Sequence, residues 1–83
     1  METLVPDRVD RVLDASGLCC PMPIVKANKA IQEASAGDVL EIIATDPGTC
    51  SDIPSWCARL GHELVGHNEK DGAFHYYVRK KAS

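Results

Sequence analysis

The sequence predicts an α+β fold, a two-layer α/β sandwich of order βαβαββ in which a four-stranded mixed sheet carries two helices on one face. Three observations predict it. Two segments repeat apolar residues at helical spacing, each follows a strand-like run, and the chain closes on two strand patterns around Asp71-Gly72.

Residues 1–8 read as a polar lead-in, and Arg8–Asp14 mixes Val9, Val12 and Leu13 with charges as a first strand. After the turn-like Ala15-Ser16-Gly17-Leu18-Cys19, a helix is expected over Pro21–Ala36, with Ile24, Ala27, Ile31 and Ala34 on its apolar stripe and Gly37 as its stop. Val39–Thr45 is nearly continuously apolar and β-branched, a buried strand that Asp46-Pro47-Gly48 ends. Ile53, Trp56, Cys57 and Leu60 then form one helical stripe in a short helix, Ser51–Leu60, with Pro54 expected in the first turn, where a missing N–H costs nothing. Leu64–Asn68 and Phe74–Arg79 close the chain as a hairpin through Glu69-Lys70-Asp71-Gly72.

Eighty-three residues, 45% hydrophobic and 25% charged, suit one domain over 1–83 with a thin core and no room to enclose a large cofactor. Nine Lys plus Arg against twelve Asp plus Glu give a net charge of −3, which does not supply the field that nucleic-acid binding needs. The basic run Arg79-Lys80-Lys81 reads as a solvated chain end without a function. No leader or spanning segment is seen, so a cytoplasmic protein without membrane contact is expected, and four cysteines there are free thiols, ligands or redox groups rather than a disulfide framework. Cys50, Cys57 and His62 match no compact zinc spacing, so no metal and no cofactor are expected.

The chemistry concentrates at Cys20-Pro21-Met22-Pro23. Pro21 suits the first helical position, which would make Cys20 the N-cap, its thiolate favoured by the helix dipole and by the N–H groups of Met22 and Ile24. Pro23 removes one donor, so the activation is moderate, and Lys26 and Lys29 add positive charge further along. No acyl-transfer signature accompanies the three histidines, and Cys19-Cys20 is a vicinal pair rather than a thioredoxin-like spacing. An exposed thiol at a helix start, without a deep pocket, suits a carrier that holds sulfur as a persulfide and passes it on by thiol exchange. Cys57 reads as core. Asp46, Asp52 and His62 read as turn, cap and helix-exit residues.

Leu13-Asp14, Gly17-Leu18, Cys20-Pro21-x-Pro23, Lys26, Lys29-Ala30, Thr45-Asp46-Pro47, Asp52-Ile53-Pro54 and Gly61-His62 together resemble the TusA/SirA-type sulfur carrier proteins over nearly the whole chain. The resemblance implies the same βαβαββ sandwich and a persulfide on Cys20. It also implies a sulfur donor, either a cysteine desulfurase or a rhodanese-like sulfurtransferase, and an acceptor cysteine on a TusD/DsrE-type protein. The relay is then either tRNA 2-thiouridine synthesis or dissimilatory sulfur oxidation. Asn28 stands where many members have a basic residue, which lowers the charge of the docking face of the first helix. Cys19 and Cys50, expected just before the second helix, are secondary thiols able to resolve a Cys20 persulfide. A monomer is expected. The competing reading is a regulatory adaptor that docks through the first helix with Lys26 and Lys29 and makes no use of the thiol. An RNA-binding module lacks the basic or aromatic sheet face it would need.

Overall fold

Alternating apolar residues draw the strands into one sheet, and the computed structural model, which describes residues 8–19 and 21–81, gives the expected order of elements. They are β1 (Arg11–Ala15), α1 (Met22–Glu33), β2 (Val39–Ala44), α2 (Thr49–Leu60), β3 (Glu63–Lys70) and β4 (Ala73–Arg79). The sheet order is β1-β2-β4-β3, with β1 parallel to β2 and the other neighbours antiparallel. A parallel pair needs a crossover, which α1 provides by packing on β1 and β2, while α2 packs on β3 and β4. Both helices therefore start at the same end of the sheet, beyond the C-terminal ends of β1 and β2. Asp71 (φ 52°) and Gly72 (φ 79°) close the β3–β4 hairpin with two left-handed residues, the two-residue turn that matches strand twist.

Between the layers lie Ala27 and Ile31 of α1, Leu40, Ile42 and Ala44 of β2, Ile53, Trp56 and Cys57 of α2, and Tyr76 and Val78 of β4. The other sheet face carries the partners one residue away. There Glu41 Oε2 meets His75 Nδ1 at 2.8 Å and Val12 is exposed.

Several boundaries differ from the sequence reading. β1 begins at Arg11 rather than Arg8, and β2 ends one residue early, at Ala44. α1 stops at Glu33 rather than Ala36 because a tight turn captures the chain: Asp38 Oδ2 accepts the Ser35 N–H, and Ser35 O accepts the Asp38 N–H. α2 starts two residues early, with Gly48 as N-cap, so Asp52 lies within the first turn and Cys50 is the second helical residue. Pro54 accordingly sits inside the helix, where it withholds one N–H from the carbonyl of Cys50. The strands of the hairpin reach further towards the turn than expected, to Lys70 and from Ala73.

The basic run after β4 is not simply a solvated end. Lys80 Nζ donates to the carbonyls of Ala34 (2.7 Å) and Gln32 (3.4 Å), and Arg11 Nη2 donates to Glu33 O (3.0 Å). α1 has no basic residue in its own last turn, so cations from β1 and from the chain after β4 satisfy its terminal carbonyls and its negative end. Arg79 pairs with Glu63 at 2.9 Å. Lys80→Ala is expected to lower stability by about 1 kcal/mol, whereas Lys81→Ala should stay within about 0.5 kcal/mol, as read by urea unfolding.

Candidate functional site

Two loops build the end of the sheet where both helices start. After β1, Asp14 Oδ1 accepts the Ser16 N–H at 3.0 Å and Ala15 O accepts the Leu18 N–H at 3.2 Å, folding the chain back towards α1. Hydrogen bonds from Ser16 hold the Asp14 carboxyl below its usual range. Gly17, at φ 80°, turns its N–H onto Thr45 Oγ1 at 2.8 Å, which fastens this loop to the one after β2. The second loop is an Asp46 turn, with Asp46 Oδ1 accepting the Gly48 N–H at 3.1 Å and Asp46 O accepting the Thr49 N–H at 3.0 Å.

Cys20 lies outside the described residues, and its neighbours define its place in the chain. Cys19 before it and Pro21 and Met22 after it are exposed. The expected N-cap role for Cys20 is corrected: the N-cap is Pro21 (φ −94°, ψ 11°), and the first helical bond runs from the Val25 N–H to Pro21 O at 3.1 Å. The N–H of Met22, expected to face the thiol, instead donates to Cys19 O at 2.9 Å. The two prolines take different parts. Pro21 is exposed, whereas the Pro23 ring is fully buried and pins the first turn of α1 to the core.

Lys26 and Lys29 are exposed on α1. Beside them the structure adds two exposed apolar side chains to which the sequence reading gave no role: Met22 (42% exposed) and Val25 (53% exposed). They lie off the Ala27–Ile31 stripe at a spacing of three, the signal that could have marked them as outward-facing. The α1 start thus offers an apolar patch bordered by two lysines, next in sequence to Cys20.

Cys50 sits at the same end of the sheet but on α2. Thr49, fully buried, donates from its hydroxyl to Asp46 O at 2.7 Å, so the Tyr76 hydroxyl is the donor in the 2.9 Å contact between the two. Cys50 Sγ lies 3.5 Å from the same Tyr76 hydroxyl. Burial and the neighbouring Cys50 push the Tyr76 phenol well above its usual range, and the charge of Glu69 on β3 contributes. Cys50 is therefore tied towards the β3–β4 side, whereas Cys20 leads into the helix over β1 and β2. Cys57 is core, as expected: 3% exposed, with burial raising its thiol to about 11. Among the described residues no cluster of three metal-ligating side chains occurs, and no helix is long and apolar enough to cross a membrane.

Comparison with known proteins places this geometry. The family model described as "Sulfurtransferase TusA" matches residues 11–80. The chain belongs to the TusA family. A protein of Pseudomonas entomophila described as "Sulfur carrier protein TusA" is 52% identical over 73 residues, covering 88% of this chain and 91% of that one. A second, of Pseudomonas syringae pv. tomato and with the same description, is 46% identical over 74 residues, covering 89% and 88%. The crystal structure of a SirA-like protein from Desulfitobacterium hafniense shares the fold, with a TM-score of 0.77, 23% identity and coverage of 87% of this chain and 99% of that one. The TusA family is one of sulfur carriers, whose work implies protein partners in a relay.

The cysteine environments predict a reactivity order. Exposed Cys19 and Cys50 should be alkylated in the folded protein, and buried Cys57 only on unfolding, as read by mass spectrometry. The sign for stability follows from the raised Cys57 thiol: it ionises near 9.0 in the unfolded chain and near 11 in the folded one, so the unfolded chain holds fewer protons between those values. Stability should fall as pH rises from 9 to 11, and Cys57→Ala should flatten that slope.

Proposed function

We propose that this protein carries sulfane sulfur as a persulfide on Cys20 and hands it to a cysteine of an acceptor protein. The observation that carries the reading is the position of Cys20 within a TusA-family chain, between exposed Cys19 and exposed Pro21 at the opening of α1. The Cys20 thiolate attacks the outer sulfur of a donor persulfide. A new S–S bond forms, the donor S–S bond breaks, and the donor leaves as thiolate. An acceptor thiolate then attacks the outer sulfur on Cys20, which regenerates the Cys20 thiolate. No outside oxidant is consumed, and the carrier is at once substrate and catalyst of the transfer.

The α1 opening supplies the chemistry and the docking. The positive end of α1 favours the thiolate, while Pro21 and Pro23 fix the entry of the chain into the helix. Met22 and Val25 give an apolar contact, and Lys26 and Lys29 attract acidic surfaces on donor and acceptor. Neither Cys19 nor Cys50 is needed by this cycle. A cysteine desulfurase with cysteine, or a rhodanese with thiosulfate, is the chemistry that would load Cys20. A desulfurase donor points to tRNA thiolation and a rhodanese donor to sulfur oxidation.

Incubation of the reduced protein with each donor, followed by intact mass and peptide mapping, should give one added sulfur confined to Cys20 and none in Cys20→Ser. An adduct that persists in Cys20→Ser would overturn the reading, and so would no adduct from either donor, leaving the adaptor as the better account. Lys26→Glu with Lys29→Glu should slow loading by at least about tenfold at low salt, with the gap closing at high salt.

A further inference from the structure

A feature that the carrier cycle leaves unused lies at the opposite end of the helices. A shallow groove of about 290 Å³ runs between the second half of α1 and the exit of α2, lined by Asn28, Ile31, Gln32, Leu60, His62, Lys80 and Lys81. From Met22 to Asn28, the first lining residue on α1, is six residues, about 9 Å along the helix, so the groove is displaced from the α1 opening.

Its lining is one-sided in chemistry. Ile31 and Leu60 form an apolar floor, every other lining side chain can donate a hydrogen bond, and no carboxylate among the described residues borders it. The protonation of His62 is fixed by the backbone: Lys81 N–H donates to Nδ1 at 3.1 Å, so the ring proton sits on Nε2 and His62 is a neutral donor. Trp56 stacks obliquely beside the imidazole, with ring centroids 5.7 Å apart. Burial, then the charges of Lys81 and Lys80, lower the tendency of His62 to take a second proton. Lys80 is largely committed to the carbonyls that end α1. The Lys81 ammonium pairs with no described carboxylate. The result is a donor-rich, cationic groove on a protein of net charge −3.

We propose that this groove is a second binding site, for a small organic carboxylate whose anionic end meets Lys81 and the His62 Nε2–H and whose short apolar part lies on Ile31 and Leu60. The charge of the lining selects an anion, and the apolar floor selects one with a few carbons over an inorganic ion. The site is independent of sulfur loading.

The test follows the His62 and Trp56 ring signals by NMR at constant ionic strength while butyrate is added, with butylammonium and inorganic sulfate as parallel arms. Butyrate should give a saturable shift at His62 and raise its pKa, because an anion beside the ring stabilises the imidazolium. Butylammonium should give none, and sulfate should bind more weakly. Lys81→Met, which leaves the α1 carbonyls capped, should weaken butyrate at least about tenfold, the loss of one charge-assisted contact. No saturable shift, equal response to butylammonium, or unchanged affinity in Lys81→Met would each overturn the proposal. A site that binds sulfate as tightly as butyrate would overturn its organic selectivity. The variant keeps Cys20 and every α1 residue, so its persulfide loading should match the wild type.

Discussion

Everything at the working end of this protein depends on the parallel pairing of β1 with β2. Two parallel neighbours cannot be joined by a tight turn, so the chain must cross over as α1, and the next segment leaves the same end of the sheet as α2. Two helix beginnings, each the positive end of a helix dipole, then share one edge. The Gly17 N–H to Thr45 Oγ1 bond locks the two loops that deliver them. Without it, the segment between β1 and Pro21 would lose its anchor to the neighbouring loop, and the start of α1 its fixed place over β1 and β2.

The same arrangement divides the helices into two chemically different ends. At the start of α1 the prolines reduce the number of N–H groups, and Met22 N–H is spent on Cys19 O. On the proposed reading, activation of the Cys20 thiol rests more on the summed dipole than on individual donors, which suits a carrier that must both accept sulfur and release it. A strongly stabilised thiolate would be a poorer nucleophile. At the far end, α1's carbonyls are met by Lys80 and Arg11, which come from elements distant in sequence. Those cations hold the helix in place on β1 and β2 and leave a positive groove behind them.

The order of elements, the helix-bearing face and most of the core were legible because they rest on local periodicity. Ala27, Ile31, Ile53, Trp56 and Cys57 fall on stripes that only a helix can bury together. Helix ends were less legible, because they are set by competition between weak local bonds: the Ser35–Asp38 turn ends α1 early, and the Asp46 turn starts α2 early enough to enclose Pro54. The roles of Lys80, Thr49 and Tyr76 were not legible at all, since each depends on a partner brought from another element. For the candidate site, the sequence named the motif and the two lysines, while the exposure of the Met22 and Val25 side chains became visible only once α1 had a defined outward face.

The central claim is that Cys20 alone holds a transferable sulfur. It is tested most directly by loading the protein with isotopically labelled sulfur, removing the donor, and adding an acceptor protein with one reactive cysteine in a single-turnover reaction. The account predicts that label leaves the Cys20 peptide at the rate it appears on the acceptor cysteine, with none passing through Cys19 or Cys50. Label that stays on this protein, or that reaches the acceptor equally well from Cys20→Ser, would contradict it.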